Sequence, residues 1–264
     1  MKQLHLVIWA APYPGPAIAS WFDRERESSS LPLFGGASGQ IPQLASADLD
    51  KLLATHDVNQ VVLAGALGTD DLDWVLERVD GCRWLIVSSD DDTRASNVEL
   101  RRSRQELALL RGATVFETSL VFGRGGDRTI SPLTRALRRW RVPLRWDDAG
   151  RILQPVHIDD LLAAIVAHGH DPVSGCFPIA GDEALPAQEL MQMLAEILGL
   201  RLRPISLPSG ALDVSPVGRA LARMSIRAGS EWRPVDLTSM REVFDWCPRP
   251  LAHRLEQAVR EAVA

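Results

Sequence analysis

The chain contains almost no tyrosine and almost no lysine. Tyr13 is the single tyrosine among 264 residues, and Lys2 and Lys51 are the only lysines, so arginine carries nearly all of the basic charge. Very few residues are therefore available for proton transfer by a tyrosine phenol that has a lysine ammonium beside it. These two scarcities restrict the catalytic chemistry that the chain can supply.

Cysteine is also scarce, and long apolar runs are absent. Cys82, Cys176 and Cys247 are far apart, odd in number and without C-x-x-C spacing, which is typical of reduced thiols in a cytoplasmic protein. No apolar run is long enough to span a membrane. With a net charge of -5 and a pI of about 5.7, we expect neither a nucleic-acid nor a membrane partner. His168 and His170 have no neighbouring cysteine or aspartate cluster, so we predict no metal site.

Apolar runs alternate with helical patterns in the first two thirds of the chain. The predicted strands are His5–Ile8, Leu31–Phe34, Gln60–Leu63, Trp84–Val87 and Thr114–Phe116. The predicted helices between them are Pro16–Arg26, Ala47–His56, Leu72–Val79 and Asn97–Leu110. This alternation predicts an α/β fold with a doubly wound, Rossmann-like parallel sheet, whose ligands bind at the carboxyl ends of the strands.

The pattern changes at Ser131, where helices become more frequent. The predicted elements are a helix with Ser131 as N-cap and Pro132 at its first position, a helix ending at Gly169, a helix over Pro186–Leu198 closed by Gly199, a strand in "RLRPISLP" and a last helix over Pro250–Val263. We therefore expect a Rossmann-like nucleotide-binding core over residues 1–170 and a small C-terminal α/β substrate lobe over residues 171–264.

The arginine-rich segment "RALRRWRVPLRW" has two interpretations. It could form a surface for phosphate or nucleic acid. It could also be the solvated face of an amphipathic helix that buries Leu133, Leu137 and Trp140. The acidic chain favours the second interpretation.

The segment after the first predicted strand departs from a glycine-rich turn. In "LVIWAAPYPGPAIASWF", residues 6–22, an apolar run leads into a helical pattern, as in a dinucleotide-binding unit. The turn between them is filled by Ala10, Ala11, Pro12, Tyr13 and Pro14. Gly15 is the only glycine left. Proline has no backbone N–H, so Pro12 removes a donor of the kind that holds a diphosphate at a helix N-terminus.

Four further segments match the pattern of one known family in the right order. They are "ATVFETSLVFGRG", "LQPVHIDDLLAAI", "GCFPIAGDEALPAQEL" and "SMREVFDWCPRPLAHRLEQAV". Together with the alternating first half, they resemble the extended short-chain dehydrogenase/reductase family, the group of nucleotide-sugar epimerases and dehydratases. The resemblance covers nearly the whole chain. It implies a Rossmann-like fold, an NAD(P) cofactor, a small-molecule ligand and, as is common in the family, a homodimer.

The resemblance assigns cofactor-binding positions to Ala10, Pro12, Gly15, Gly65, Thr118 and Ser119. The family's first turn reads G-x-x-G-x-x-G, and with Gly15 as the third glycine, Trp9 and Pro12 take the first two positions. No acidic residue follows the second predicted strand, in "LFGGASG", to bind the ribose hydroxyls. We therefore expect NAD(P) binding to be weak or absent.

The catalytic pair of the family is Tyr-x-x-x-Lys, and this sequence lacks it. In "NVELRRSRQELALL" the best alignment puts Leu100 at the tyrosine position and Arg104 at the lysine position. Ser88 and Ser89 match the family's serine-bearing strand end, and they are either catalytic hydroxyls or a polar strand terminus. The acidic run Asp90–Asp92 is either a base in a closed pocket or a solvated loop and helix cap.

Two arginines stand where the family contacts substrate phosphate. Arg124 and Arg128 follow Gly123, and a guanidinium suits bidentate phosphate binding, although a solvated role is equally open. The resemblance implies that His157 is a structural histidine beneath the substrate loop. Asp160 is expected to cap the following helix.

Two functions of different classes remain open. The first is an atypical, tyrosine-less NAD(P)-binding oxidoreductase or epimerase that acts on a small carbonyl or sugar-like substrate. The second is a non-catalytic Rossmann-fold sensor or scaffold protein, which the altered turn and the missing tyrosine favour. An enzyme of different chemistry that uses Asp90–Asp92 is a more remote third interpretation.

Overall fold

The protein is described by a computed structural model. It describes residues 4–9, 14–24, 28–32, 58–64, 82–89, 112–124, 127, 129–140, 144–145, 152–170, 172–200, 205–206 and 234–263. The chain divides into two compact units: unit 1 is Met1–Thr118, Leu162–Ile179 and Thr238–Trp246, and unit 2 is Ser119–Leu161, Ala180–Leu237 and Cys247–Ala264. Each unit is built from three separate segments, a division that differs from the predicted single boundary after residue 170.

The described elements are short and alternate along the chain. The strands are β1 (Leu4–Trp9), β2 (Ser28–Pro32), β3 (Val58–Ala64), β4 (Arg83–Ser89), β5 (Thr114–Thr118), β6 (Val121–Phe122), β7 (Leu144–Arg145), β8 (Ile152–Leu153), β9 (Val156–His157), β10 (Gly175–Ile179), β11 (Leu185–Pro186) and β12 (Ile205–Ser206). The helices are α1 (Gly15–Arg24), α2 (Ile130–Trp140), α3 (Ile158–His170), α4 (Ala187–Ile197), α5 (Thr238–Phe244) and α6 (Leu251–Val263). None of these helices has the length and apolar character needed to cross a membrane.

Unit 1 contains the parallel sheet that the sequence predicts. Its described strands run in the order β10-β5-β4-β3-β1-β2, and every neighbouring pair is parallel. β1 lies between β2 and β3, so the chain crosses from one side of β1 to the other. Ligands of open α/β sheets bind outside the carboxyl ends of the strands at such a reversal. The predicted Rossmann-like, doubly wound fold is confirmed, and its reversal point is at the end of β1.

Continuous apolar runs account for the central strands. Residues 61–64 of β3 and 84–87 of β4 are buried, as expected for a parallel sheet covered on both faces. The predictions for β1, β3, β4 and β5 agree with the structure to within two residues.

The second strand was predicted too far along the chain, at Leu31–Phe34. The structure begins β2 at Ser28, in a run of three serines, and pairs it residue by residue with β1 from His5↔Ser28 to Trp9↔Pro32. The serines at positions 28–30 give no apolar signal, so the apolar pattern places the strand only from Leu31 onwards. The predicted helices Ala47–His56, Leu72–Val79 and Asn97–Leu110 lie outside the described residues.

Unit 2 has a helical core of its own. Apolar side chains of α2, α4 and α6 pack together with those of β6, β8 and β11. On α2, Leu133 and Leu137 are buried and Arg135, Arg138 and Arg139 are exposed, which agrees with an amphipathic helix. The described part of the segment "RLRPISLP" is the two residues of β12, which pair with β7.

Helix α4 ends as its glycine predicts. Gly199 adopts φ +67°, and its N–H donates to the Glu196 carbonyl at 2.9 Å. The Leu200 N–H donates to the Ala195 carbonyl at 2.9 Å. Glycine is favoured here because the left-handed backbone carries no Cβ penalty.

A buried hydrogen-bond chain fixes α3 against the sheet in unit 1. Gln60 Nε2 donates to His168 Nδ1 at 3.0 Å, His168 Nε2 donates to Thr114 Oγ1 at 2.8 Å, and Thr114 Oγ1 donates to the Val173 carbonyl at 2.6 Å. The tautomer of His168 is assigned from these partners. Burial, aided by the charge of Arg83, lowers the pKa of His168 to about 4. His168 is thus a neutral structural residue near the amino ends of β3 and β5.

We expect His168→Leu to destabilise the protein by about 1–3 kcal/mol at pH 7, because Gln60 Nε2 loses its buried acceptor. In the unmodified chain, the folded pKa of about 4 lies below the ordinary value of 6.5. Stability from this residue is therefore complete above pH 6.5 and is lost as the pH falls towards 4, by up to about 3 kcal/mol.

Urea unfolding of the two proteins at pH 7 and pH 5 measures both effects. The matched control is His170→Leu, because His170 is exposed at the end of the same helix. If His168→Leu loses no stability at pH 7, or keeps the full pH dependence, the structural assignment of His168 is wrong.

Candidate functional site

The start of α1 is the part of unit 1 where the fold would receive a diphosphate. Gly15 is buried and begins α1, one residue before the predicted start at Pro16. The Pro14 carbonyl accepts the N–H groups of Ala17 and Ile18, both at 3.0 Å, and Pro16 has no N–H. Among residues 15–18, the N–H of Gly15 is therefore the one that is present and does not bond to Pro14. This helix start therefore has fewer free N–H groups than the first turn of a helix ordinarily provides.

Strands β4 and β5 bring other predicted residues to the carboxyl edge of the sheet. Ser88 and Ser89 are the last residues of β4, and Ser89 is paired in register with Thr118, the last residue of β5. Thr118 is buried. Ala10 and Pro12, which follow β1, Gly65, which follows β3, and the predicted catalytic Arg104 lie outside the described residues.

Ser119 and Gln154 form a structural contact in unit 2. The Ser119 hydroxyl donates to the Gln154 carbonyl at 2.6 Å. The Gln154 side chain donates to the Gly181 carbonyl and accepts the Val235 N–H, both at 2.8 Å. Ser119, predicted to line the nicotinamide, therefore uses its hydroxyl hydrogen within the protein. Sequence reasoning missed Gln154, because its partners are distant in the chain.

Asp127 lies three residues before α2 and caps its start with its side chain, a role that sequence reasoning gave to Ser131. Asp127 is 3% exposed, and its Oδ1 accepts the N–H groups of Thr129 and Ser131, both at 3.0 Å. Its Oδ2 accepts the Gly123 N–H at 3.4 Å and the Ser131 hydroxyl. The N-cap prediction for Ser131 is wrong because α2 begins at Ile130, so Ser131 is the second residue of the helix and Pro132, predicted to be the first, is the third. An aspartate shortly before the helical pattern was the available signal.

Arg124 is held by carboxylates of unit 2. Its Nε and Nη2 contact Asp159 Oδ1 at 3.0 and 2.8 Å, and its backbone N–H donates to Glu261. Burial works to raise the pKa of Asp159, but the hydrogen bond from Gln257 and the charge of Arg124 outweigh it and hold that pKa below its ordinary value. The predicted partner Arg128 lies outside the described residues.

Asp160 pairs with Arg254 and does not cap α3. Arg254 Nε donates to Asp160 Oδ2 at 3.0 Å, and its Nη2 contacts Asp160 Oδ1. Both residues are buried. The capping prediction is wrong because Asp160 is the third residue of α3, where its side chain points to α6. His157 takes the capping position, since its Nδ1 accepts the Asp159 N–H at 3.2 Å.

His157 is a packing residue in the described structure. Its ring lies edge-on to Phe122, with centroids 5.2 Å apart, and its Nε2 is buried without a hydrogen-bond partner. Burial lowers its pKa to about 4, although the Asp159 charge acts in the other direction. Gly123 has φ +112°, and a Cβ on it would lie 2.3 Å from His157 Nε2. Neutral His157 thus supports the loop after β6, in agreement with the role that the resemblance implies.

Comparisons with known proteins show the fold of the chain. Neither a family model nor a curated protein sequence matches it. Among solved structures, dTDP-glucose 4,6-dehydratase from Bacillus anthracis, in complex with NAD, has a TM-score of 0.71 and 13% identity, over 98% of this chain and 96% of that one. UDP-glucuronic acid 4-epimerase from Bacillus cereus, in complex with UDP-glucuronic acid and NAD, has a TM-score of 0.70 and 13% identity, over 99% of each chain.

A third structure extends the likeness to a thermophile. UDP-glucose 4-epimerase from Thermotoga maritima, with UDP-glucose, has a TM-score of 0.66 and 12% identity, over 98% of each chain. At these identities the likeness establishes the architecture. The chain has a Rossmann-like fold similar to that of these dehydratase and epimerase structures, over nearly its whole length.

We expect Gly123→Ala to destabilise the protein by about 2–5 kcal/mol, from the left-handed backbone strain and the overlap with the buried His157 ring. The matched control is Gly199→Ala, since Gly199 also has positive φ but a Cβ added to it would meet nothing within 4 Å. That variant should lose only about 1 kcal/mol. Chemical unfolding of both variants checks the difference, and equal losses would contradict the tight packing of Gly123 on His157.

Proposed function

We propose that this chain binds NAD(P) weakly at the carboxyl edge of the unit 1 sheet. We propose further that it is an atypical epimerase/dehydratase-like oxidoreductase without a Tyr-x-x-x-Lys pair, and that any substrate it converts is a small carbonyl or sugar-like compound. One observation carries the proposal: the sheet order reverses at β1, and α1 begins with a buried glycine directly beyond it. The similar dehydratase and UDP-glucuronic acid epimerase structures contain NAD.

The residues that would hold the dinucleotide offer its diphosphate few amide donors. The Gly15 N–H would face the diphosphate. The other cofactor positions are Ala10, Pro12, Gly65, Thr118 and Ser119. Pro12 and Pro16 offer no N–H, and each missing hydrogen bond to a charged group is worth about 1.5–3 kcal/mol. One such loss weakens binding by roughly tenfold to a hundredfold, which is why we propose weak binding.

The chemistry would be shared between the cofactor and the chain. Bound NAD(P) would supply hydride acceptance and return. Ser88 and Ser89 would orient a substrate hydroxyl, and Arg104 would supply positive charge in place of the family's lysine. A neutral serine hydroxyl is a good hydrogen-bonding group but a poor base at pH 7. Proton removal would therefore be slow, and turnover would be low.

A non-catalytic sensor or scaffold is the second candidate. It is favoured by the single tyrosine, Tyr13, which lies in the first turn and not on the catalytic helix segment. The hydroxyl hydrogen of Ser119 and the guanidinium of Arg124 are both engaged within unit 2, which also favours it. In this case NAD(P) would be a signal or a structural ligand.

Thermal unfolding with NAD and with NADP tests NAD(P) binding, which both candidate functions share. At about ten times Kd, a ligand that binds the folded state adds about 1.4 kcal/mol of stability. Nicotinamide absorbance, followed with a panel of sugar nucleotides and small carbonyl compounds, then separates turnover from binding alone. No stabilisation by either nucleotide would contradict the proposal.

We expect Pro16→Ala to tighten NAD(P) binding by about tenfold, because it restores an N–H in the first turn of α1. The matched control is Pro132→Ala, which makes the same change in the first turn of α2. Calorimetric titration of both variants measures the effect. An unchanged Kd in Pro16→Ala, or an equal gain in Pro132→Ala, would remove the start of α1 from the proposed site.

A further inference from the structure

We propose that the arginine face of α2, formed by the exposed side chains of Arg135, Arg138 and Arg139, binds an acidic segment of a partner protein. The segment that fits presents carboxylates one helical turn apart. The proposal concerns unit 2 alone and does not depend on NAD(P) binding. It goes beyond the proposed function, because it gives the chain a protein partner.

The spacing of the three arginines places them on one side of the helix. Arg138 and Arg139 lie three and four residues after Arg135, and side chains at these spacings are neighbours on a helix surface. The opposite side of α2 is fixed, because Leu133 and Leu137 are buried in the helical core of unit 2. The backbone of the arginine face is therefore already ordered, which lowers the entropy cost of binding a partner.

Positive charge is concentrated on this face and is not compensated within the described residues. Residues 135–145 hold five arginines and no acidic residue, although the whole chain has a net charge of -5. Among the residues that the structure describes, no acidic side chain forms an ion pair with Arg135 or Arg139. Like charges one turn apart destabilise a helix slightly. Bound carboxylates would remove this repulsion.

An exposed apolar side chain lies at the border of the arginine face. Arg138 Nη1 donates to the Val263 carbonyl at 3.3 Å, and this contact brings the end of α6 to the arginines. Val263 is 37% exposed, and Val166 is the one other large apolar residue that is exposed in the described part of the chain. Protein interfaces are enriched in arginine and combine charged groups with apolar contacts. The composition of this surface therefore fits a protein partner.

Two other anionic partners fit this surface less well. An amphipathic helix binds a membrane by inserting its apolar side, but the apolar side of α2 is buried in the core of unit 2. A nucleic acid is a long polyanion that is bound through many phosphates, and a chain with a net charge of -5 repels it beyond the contact. A short acidic protein segment avoids this repulsion, and guanidinium groups bind its carboxylates bidentately.

Fluorescence anisotropy of a labelled peptide tests the proposal on the full chain. The probe is a helical peptide of about 15 residues that carries glutamates at the spacing of the arginine face. The reference peptide has the same composition, with its glutamates distributed around the helix. The unmodified protein should bind the probe at least about fivefold more tightly than the reference peptide, and binding should weaken as the salt concentration rises.

A double substitution on α2 tests the residues themselves. Arg135→Gln combined with Arg139→Gln removes two charges, leaves Arg138 in place and should weaken probe binding by about tenfold. The matched control combines Arg241→Gln with Arg249→Gln, which removes the same charge from exposed positions outside α2 and should leave probe binding unchanged. Urea unfolding of both variants checks that each is as stable as the unmodified chain.

Three results with the peptides would overturn the proposal: no binding of the probe, equal binding of both peptides, or an equal loss in the control variant. Tighter binding of a single-stranded oligonucleotide or of phosphatidylserine vesicles than of the probe, if the α2 double variant loses it, would assign the face to a nucleic acid or a membrane and would also overturn it. NAD(P) stabilisation should be the same in all three proteins, so this test and the test of the proposed function fail independently.

Discussion

A helix N-terminus holds a phosphate group through N–H groups that have no other partner, and at the starts of α1 and α2 several of these groups are missing or already bonded. At the start of α1, Pro16 has no N–H and Pro14 accepts two of the amides that follow. At the start of α2, Asp127 accepts the amides itself. At these two helix starts, therefore, fewer N–H groups remain free than the first turn of a helix ordinarily provides.

The carboxylates that occupy these donors also stabilise unit 2. One network of side-chain hydrogen bonds and ion pairs joins the loop after β6 to α3 and α6. Its members are Arg124, Asp159, Arg254, Asp160 and Gln257. A buried ion pair contributes little net stability unless its hydrogen bonds are complete, but breaking one partner leaves an uncompensated charge. The same contacts therefore fix the described part of the loop after β6 and engage the Arg124 guanidinium.

Much of the sheet could be predicted from the sequence, because its signal is local. The apolar runs of β3 and β4 predict buried parallel strands, and Gly199 predicts the end of α4. The start of β2 could not be found in this way, since the serines at positions 28–30 give no apolar signal. The roles of Ser131 and Asp160 were misassigned for a related reason. Asp127, just before α2, caps that helix in place of Ser131. Arg254, 94 residues further along the chain, pairs with Asp160.

The candidate site was predictable where strand ends alone determine it. Ser88, Ser89 and Thr118 come to one edge because parallel strands share a direction. The hydrogen-bond partners of Arg124 are Asp159 and Glu261, and no local sequence pattern connects these residues to it. The central claim is tested most directly by calorimetric titration of the unmodified chain with NAD(P). The account predicts a Kd of about 0.1–1 mM, and a Kd in the low micromolar range or below would contradict it.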